Sequence, residues 1–90
     1  MEKKLKILIV DGDVSEAEIL ESRLQTDFEV AGTAFDGVRA VEKIKGQLPD
    51  VVLIDIMLPQ IDGIGVIEKC REEMEYEQLP VFIVLTSIGT

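Results

Sequence analysis

The sequence predicts an α/β fold: a doubly wound parallel sheet with helices on both faces. Three observations carry that expectation. Short apolar runs at residues 7–10, 51–54 and 81–85 are rich in β-branched side chains and do not alternate, as in strands buried on both faces. Helical apolar patterns separate them. The resulting order, β-α-β-α-β-α-β, implies right-handed crossovers between parallel strands.

The elements follow in chain order. Ile7 to Val10 is the first strand. Ser15 with Glu18 makes a capping-box signal for a helix whose Ala17, Leu20 and Leu24 face inward. "EVAGTAF", Glu29 to Phe35, is a weaker strand, and Asp36 can cap a second helix with Val38, Val41 and Ile44 toward the core, ending near Gly46. Val51 to Ile54 is the next strand, and Gly63 to about Glu75 the third helix. On it Cys70 shares a stripe with Val66, Ile67 and Met74, the pattern of a buried small hydrophobe rather than a reactive thiol. Val81 to Leu85 is the last strand.

Composition narrows the function classes. Ninety residues make one small domain, and 47% hydrophobic with 30% charged residues is a globular balance. Nine basic against eighteen acidic residues give a net charge of −9, so neither nucleic acid nor an anionic membrane is expected as a partner of this chain alone. The acidic stretches at 16–21 and 68–77 read as solvated helix faces. The longest apolar run, Val81 to Leu85, is far too short for a membrane span, and nothing resembles a signal peptide. A single cysteine forms no internal disulfide, which fits a cytoplasmic protein. The absence of histidine removes histidine-dependent catalysis and most zinc sites.

Three apolar runs end in a polar residue: Val10 leads to Asp11, Ile54 to Asp55 and Leu85 to Thr86. In a parallel sheet these ends emerge on one edge, where α/β folds place their ligands. Any one of them serves equally well as a plain strand-to-loop residue. Three together, with Asp13 and Ser87 beside them, favour a site. Clustered carboxylates raise one another's pKa or recruit a cation, and an all-oxygen set without Cys or His suits Mg²⁺. A carboxylate there can attack a phosphoryl group while a hydroxyl donates to a phosphoryl oxygen. "ILIVDGD" also fits a haloacid-dehalogenase-like phosphatase, with Asp11 as nucleophile and Asp13 as general acid.

"VVLIDIMLPQIDG", residues 51–63, closely resembles the phosphorylation segment of response-regulator receiver domains, in spacing as well as composition. "ILIVDGD" resembles that family's acidic first turn and "VFIVLTS" its fourth strand with a switch threonine. The resemblance runs through all ninety residues in order. "MEKKLKILIVDGD", "VVLIDIMLP" and "VFIVLTSIG" look most like the receiver half of the stage-zero sporulation regulators. It implies a flavodoxin-like sheet in the order 2-1-3-4 and a regulatory rather than enzymatic role in a phosphorelay, with transcription as the regulated output. Asp55 becomes the phosphoacceptor, taking phosphate from a phosphohistidine on a histidine kinase or phosphotransfer protein. Asp11, Asp55 and the backbone carbonyl of Met57 become the Mg²⁺ ligands, with Asp13 a further candidate. Thr86 becomes the hydroxyl that turns toward the phosphoryl group, while Pro59, Asp62 and Gly63 shape the loop into the third helix.

Two departures from the family pattern stand out. Gly12 occupies the place of a metal-contacting acidic residue, which weakens the expected site; Asp13 is next along, but at the start of a helix it can act as a cap instead. The family's phosphate-pairing lysine and switch aromatic lie on and beside a fifth strand, and none of the six lysines here aligns with that lysine. The expectation is a truncated receiver spanning residues 1–90 without the final α-β-α. Its uncovered fourth strand is expected to build a homodimer or oligomer through residues 81–86. The rival from another class is an interaction module that keeps the fold without phosphorylation.

Overall fold

The computed structural model describes residues 3 to 86. Strands β1 (Lys6–Val10), β2 (Glu29–Ala34), β3 (Val51–Asp55) and β4 (Val81–Leu85) form one parallel sheet in the order β2-β1-β3-β4. Helices α1 (Val14–Leu24), α2 (Gly37–Gln47) and α3 (Gly63–Glu73) make the crossovers, and a 3-10 turn at Tyr76–Gln78, unforeseen in the sequence, precedes β4. The expected fold class and strand order are both present.

The apolar runs sit where their lack of alternation requires. Leu8, Ile9 and Val10 of β1 and Val52 and Ile54 of β3 are fully buried. One face of the sheet meets α2 and α3: Leu8, Val10, Val52 and Ile54 pack with Ala40, Ile44, Val66 and Cys70. On the other face Ile7 and Ile9 meet Ala17 of α1, with Leu20, Leu24 and Phe28 partly buried around them. Each large side chain so enclosed contributes roughly 1.5–3 kcal/mol. Burial pushes the Cys70 thiol up to about 11, so it stays a protonated, inert part of the core. No described helix is long and apolar enough to cross a membrane.

Three local expectations need correction. Asp13, not Ser15, caps α1: its side chain accepts from the Ser15 and Glu16 amides, so the helix starts at Val14 and Ser15 lies inside it. A carboxylate placed at the helix start takes two free amides and meets the positive end of the helix dipole. Val38 is exposed, because the buried face of α2 is Gly37, Ala40, Val41 and Ile44. β4 is not buried on both faces: Val81 is 62%, Ile83 46% and Val84 36% exposed. It pairs only with β3 among the described residues, and α1 packs mainly over β1 and β2.

Candidate functional site

At the carboxyl ends of β1 and β3 the chain opens a cleft of about 790 Å³. Asp11, Gly12, Asp13, Glu16, Asp55, Met57, Pro59 and Asp62 are on its wall, and no basic residue lines it among the described residues. Parallel pairing of Val10 with Ile54 puts Asp11 and Asp55, the next residue of each chain, side by side at one edge. The sheet order places this edge at the point where connections leave in opposite directions, the usual ligand crevice of such folds.

Asp11 is only 2% exposed. Its amide donates to the Ala34 carbonyl at 3.0 Å, fixing it to the end of β2, and its Oδ1 accepts from the Asp13 amide at 2.9 Å. Burial raises its pKa, the Asp13 amide lowers it, and repulsion from Asp55 and Asp13 raises it further. Asp55 is half-buried, and its Oδ1 accepts from the Met57 amide at 3.0 Å, which turns the backbone so that Met57 joins the cleft wall. Asp13 lines the cleft too, but its carboxylate serves as the α1 cap.

The loop from β3 into α3 is held from behind. Gly63 donates to the Ile56 carbonyl at 2.8 Å, and a Cβ on Gly63 would stand 2.5 Å from the Asp55 carbonyl oxygen and 2.9 Å from Ile56 Cα. Only glycine allows that approach, so the backbone beneath Asp55 rests on α3. Asp62 caps that helix by accepting from the Gly65 amide at 2.7 Å. Gln60, at φ 71°, carries the turn between Pro59 and α3.

Thr86 directly follows Leu85, the register partner of Asp55, yet it is exposed and does not line the cleft. Ser87 lies outside the described residues. The residue that sequence reasoning passed over is Glu16. It lies in the first turn of α1 and lines the cleft, and Asp11 above all holds its carboxyl above the usual range, followed by desolvation and by Asp13 and Asp55. Its signal was its place, three residues beyond a cap that itself adjoins a strand end.

The donor set fits a hard divalent cation in part. Two carboxylates, Asp11 and Asp55, and the Met57 carbonyl supply oxygen only, which suits Mg²⁺. Among the described residues, however, no three His, Cys, Asp or Glu side chains converge closely enough to hold an ion by themselves. An ion held there would need water to complete its coordination, which suits Mg²⁺.

A model of the family described as response regulator receiver domain matches residues 7–89. The chain is 40% identical over 89 residues to "Probable transcriptional regulator ycf27" of Guillardia theta, which covers 99% of this chain and 34% of that protein. The protein of the same name from Cyanophora paradoxa is 40% identical over 87 residues, covering 96% and 34%. The chain thus spans about a third of the length of these curated relatives. Among solved structures, it resembles a chain of the CheX–CheY–BeF3–Mg²⁺ complex from Borrelia burgdorferi (TM-score 0.82, 29% identity, 96% of this chain and 64% of that one). It also resembles the response regulator domain of Thermotoga maritima CheB (TM-score 0.80, 29% identity, 96% and 63%).

Proposed function

Because this chain belongs to the response regulator receiver domain family, we propose that it accepts a phosphoryl group on Asp55 from a phosphohistidine of a histidine kinase or phosphotransfer protein. As a receiver domain of a two-component response regulator, its role is regulatory rather than enzymatic. An Asp55 carboxylate oxygen forms the new O–P bond as the donor's N–P bond breaks, and the imidazole leaves with the electron pair. The observation that carries the reading is that the paired strand ends Val10 and Ile54 set Asp55 beside buried Asp11 at one sheet edge, in a cleft lined by no basic residue among the described residues.

Asp11, Asp55 and the Met57 carbonyl would hold Mg²⁺, which when bound offsets the charge of the phosphoryl oxygens. Asp55 is aimed by the Met57 amide, and Asp11 by the Asp13 amide. Thr86 would reach the phosphoryl group only by turning from its exposed position at the end of β4. Transcriptional output is supported by the names of the curated relatives. A sporulation-type phosphorelay is supported by the three segments quoted above, and a cytoplasmic setting by the single buried cysteine. Self-association through residues 81–86 belongs to the same proposal, supported by the exposed apolar side chains of β4.

The phosphatase alternative is not favoured: its general acid would be Asp13, whose carboxylate is engaged as the α1 cap. The interaction module without phosphorylation is not favoured either, since Asp11, Asp55 and Met57 share one cleft wall. Incubation with acetyl phosphate and Mg²⁺, borohydride trapping and peptide mapping separate these readings. Label on Asp55, lost in Asp55→Asn, is the expected result. Label on Asp11 would return the phosphatase chemistry, and no label would leave the interaction module.

A further inference from the structure

Gly12 leaves the cleft without a side chain next to the Met57 carbonyl. A Cβ built on Gly12 would lie 3.6 Å from that oxygen and 3.5 Å from Pro59 Cδ, which are ordinary contacts, and Gly12 is not among the positive-φ residues. Nothing in the fold therefore demands glycine there.

The other carboxylates on the wall are committed. Asp13 accepts the Ser15 and Glu16 amides, Asp62 the Gly65 amide, Asp55 the Met57 amide and Asp11 the Asp13 amide. Glu16 alone among the acidic lining residues takes part in no side-chain hydrogen bond or ion pair with the described residues. It lies four residues beyond Gly12, on an arm one methylene longer than aspartate, and its charge feels Asp11 before any other group. Asp11 meanwhile is more than nine-tenths buried and lines the same cleft, with only the Asp13 amide as a hydrogen-bond donor among the described residues.

We infer that Glu16 does the work of the carboxylate missing at Gly12, by accepting hydrogen bonds from water on the divalent cation rather than by touching the cation. This rests on reading Asp11, Asp55 and the Met57 carbonyl as the cation site. Among the described residues no three acidic side chains converge on one point, which sets Glu16 apart from Asp11 and Asp55 as direct ligands. Mg²⁺ suits the arrangement because it dehydrates reluctantly and keeps several waters that need acceptors. Glu16 is thus a positioning residue: it orients the ion's water and makes no contact with the phosphoryl group.

Calorimetric titration of the ninety-residue chain with MgCl₂ tests this in the parent, Glu16→Gln, Gly12→Asp, the double variant and Asp11→Asn, with melting in EDTA as the check on folding. Glu16→Gln is expected to weaken Mg²⁺ about 10-fold in the parent, the lower end for groups that act through a metal's ligand. In the Gly12→Asp background the loss is expected to shrink to about 2-fold or less, because the two carboxylates answer the same need and do not add. Unchanged affinity in Glu16→Gln, with binding abolished by Asp11→Asn, overturns this inference alone. Equal losses in both backgrounds overturn it too, since they mean general charge and no shared role. If Asp11→Asn binds Mg²⁺ as the parent does, the cation site itself is misplaced and both readings fall.

Discussion

Asp11 holds a carboxylate almost wholly out of water beside two others. Its pKa is raised by burial first, against the lowering Asp13 amide, and then by Asp55 and Asp13. The folded value lies above the unfolded one, so the unfolded chain ionises first as pH rises. The charge therefore opposes folding at pH 7, and the penalty disappears below the ordinary carboxylate range. Asp11→Asn keeps an oxygen for the Asp13 amide while removing the charge. It is expected to melt higher than the parent at pH 7 in EDTA, with the gap closing as pH falls. Circular-dichroism melts over that range check the sign; a lower melting point at pH 7 would mean that the ionised Asp11 carboxylate stabilises the fold. A gain there would mark Asp11 as kept for function at the expense of stability. Glu73 has the opposite sign. Lys45, at 2.8 Å, lowers its pKa, so that contribution is present at neutral pH and lost in acid, and both side chains are exposed enough to keep it small.

At the scale of elements, the site depends on how closely α3 approaches the end of β3. Gly63 starts α3 with its Cα against the Asp55 carbonyl, leaving no room for a methyl group. Gly63→Ala must therefore push α3 or the Asp55 backbone aside, an overpacking expected to destabilise by about 1–3 kcal/mol. Urea denaturation measures that loss, and phosphate labelling of Asp55 in the same variant should fall with it. If the variant is as stable as the parent, the loop has slack and the helix does not fix Asp55. The caps support the same geometry from outside: Asp13, Asp36 and Asp62 each begin a helix by accepting its first free amides. Two of those three caps line the cleft, so the fold uses the same acidic residues to start helices and to colour the site.

The two edges of the whole sheet are treated differently. At β2 the register with β1 shifts between Ile7 and Leu8, Gly32 sits at φ 146°, and Lys43 Nζ donates to the Thr33 carbonyl at 2.6 Å. A bulge and a lysine at an edge discourage pairing with another chain. β4 has neither. Val81 and Ile83 lie on the face where α1 packs mainly on the far strands, next to partly buried Val51 and Leu53, and leave an apolar stripe open among the described residues. Such a stripe beside a free strand edge favours a second copy. The ninety-residue chain is expected to self-associate at high micromolar concentration, and Val81→Lys with Ile83→Lys to return it to monomer in light scattering. A parent that stays monomeric would overturn this reading of the edge.

Much of this was legible in the chain itself, for a local reason. Strand runs without alternation must be buried on both faces, and a parallel sheet must bring their ends to one edge. Asp11 and Asp55 are therefore neighbours as soon as residues 7–10 and 51–54 are read as strands. The same short-range logic found Asp36 as a cap and Cys70 in the core. What needed the tertiary structure were properties set by distances between remote segments. Val81 to Leu85 reads as a buried strand, yet its exposure depends on where α1 lies. The need for glycine at 63 appears only when β3 and α3 meet, and the absence of that need at 12 only when Met57 and Pro59 are in place. Glu16 sits in an acidic helix pattern that says nothing but solvent, until the fold brings the first turn of α1 to the wall of the cleft that Asp11 and Asp55 also line. Periodicity reports which face a residue is on; only the packed chain decides what that face looks into.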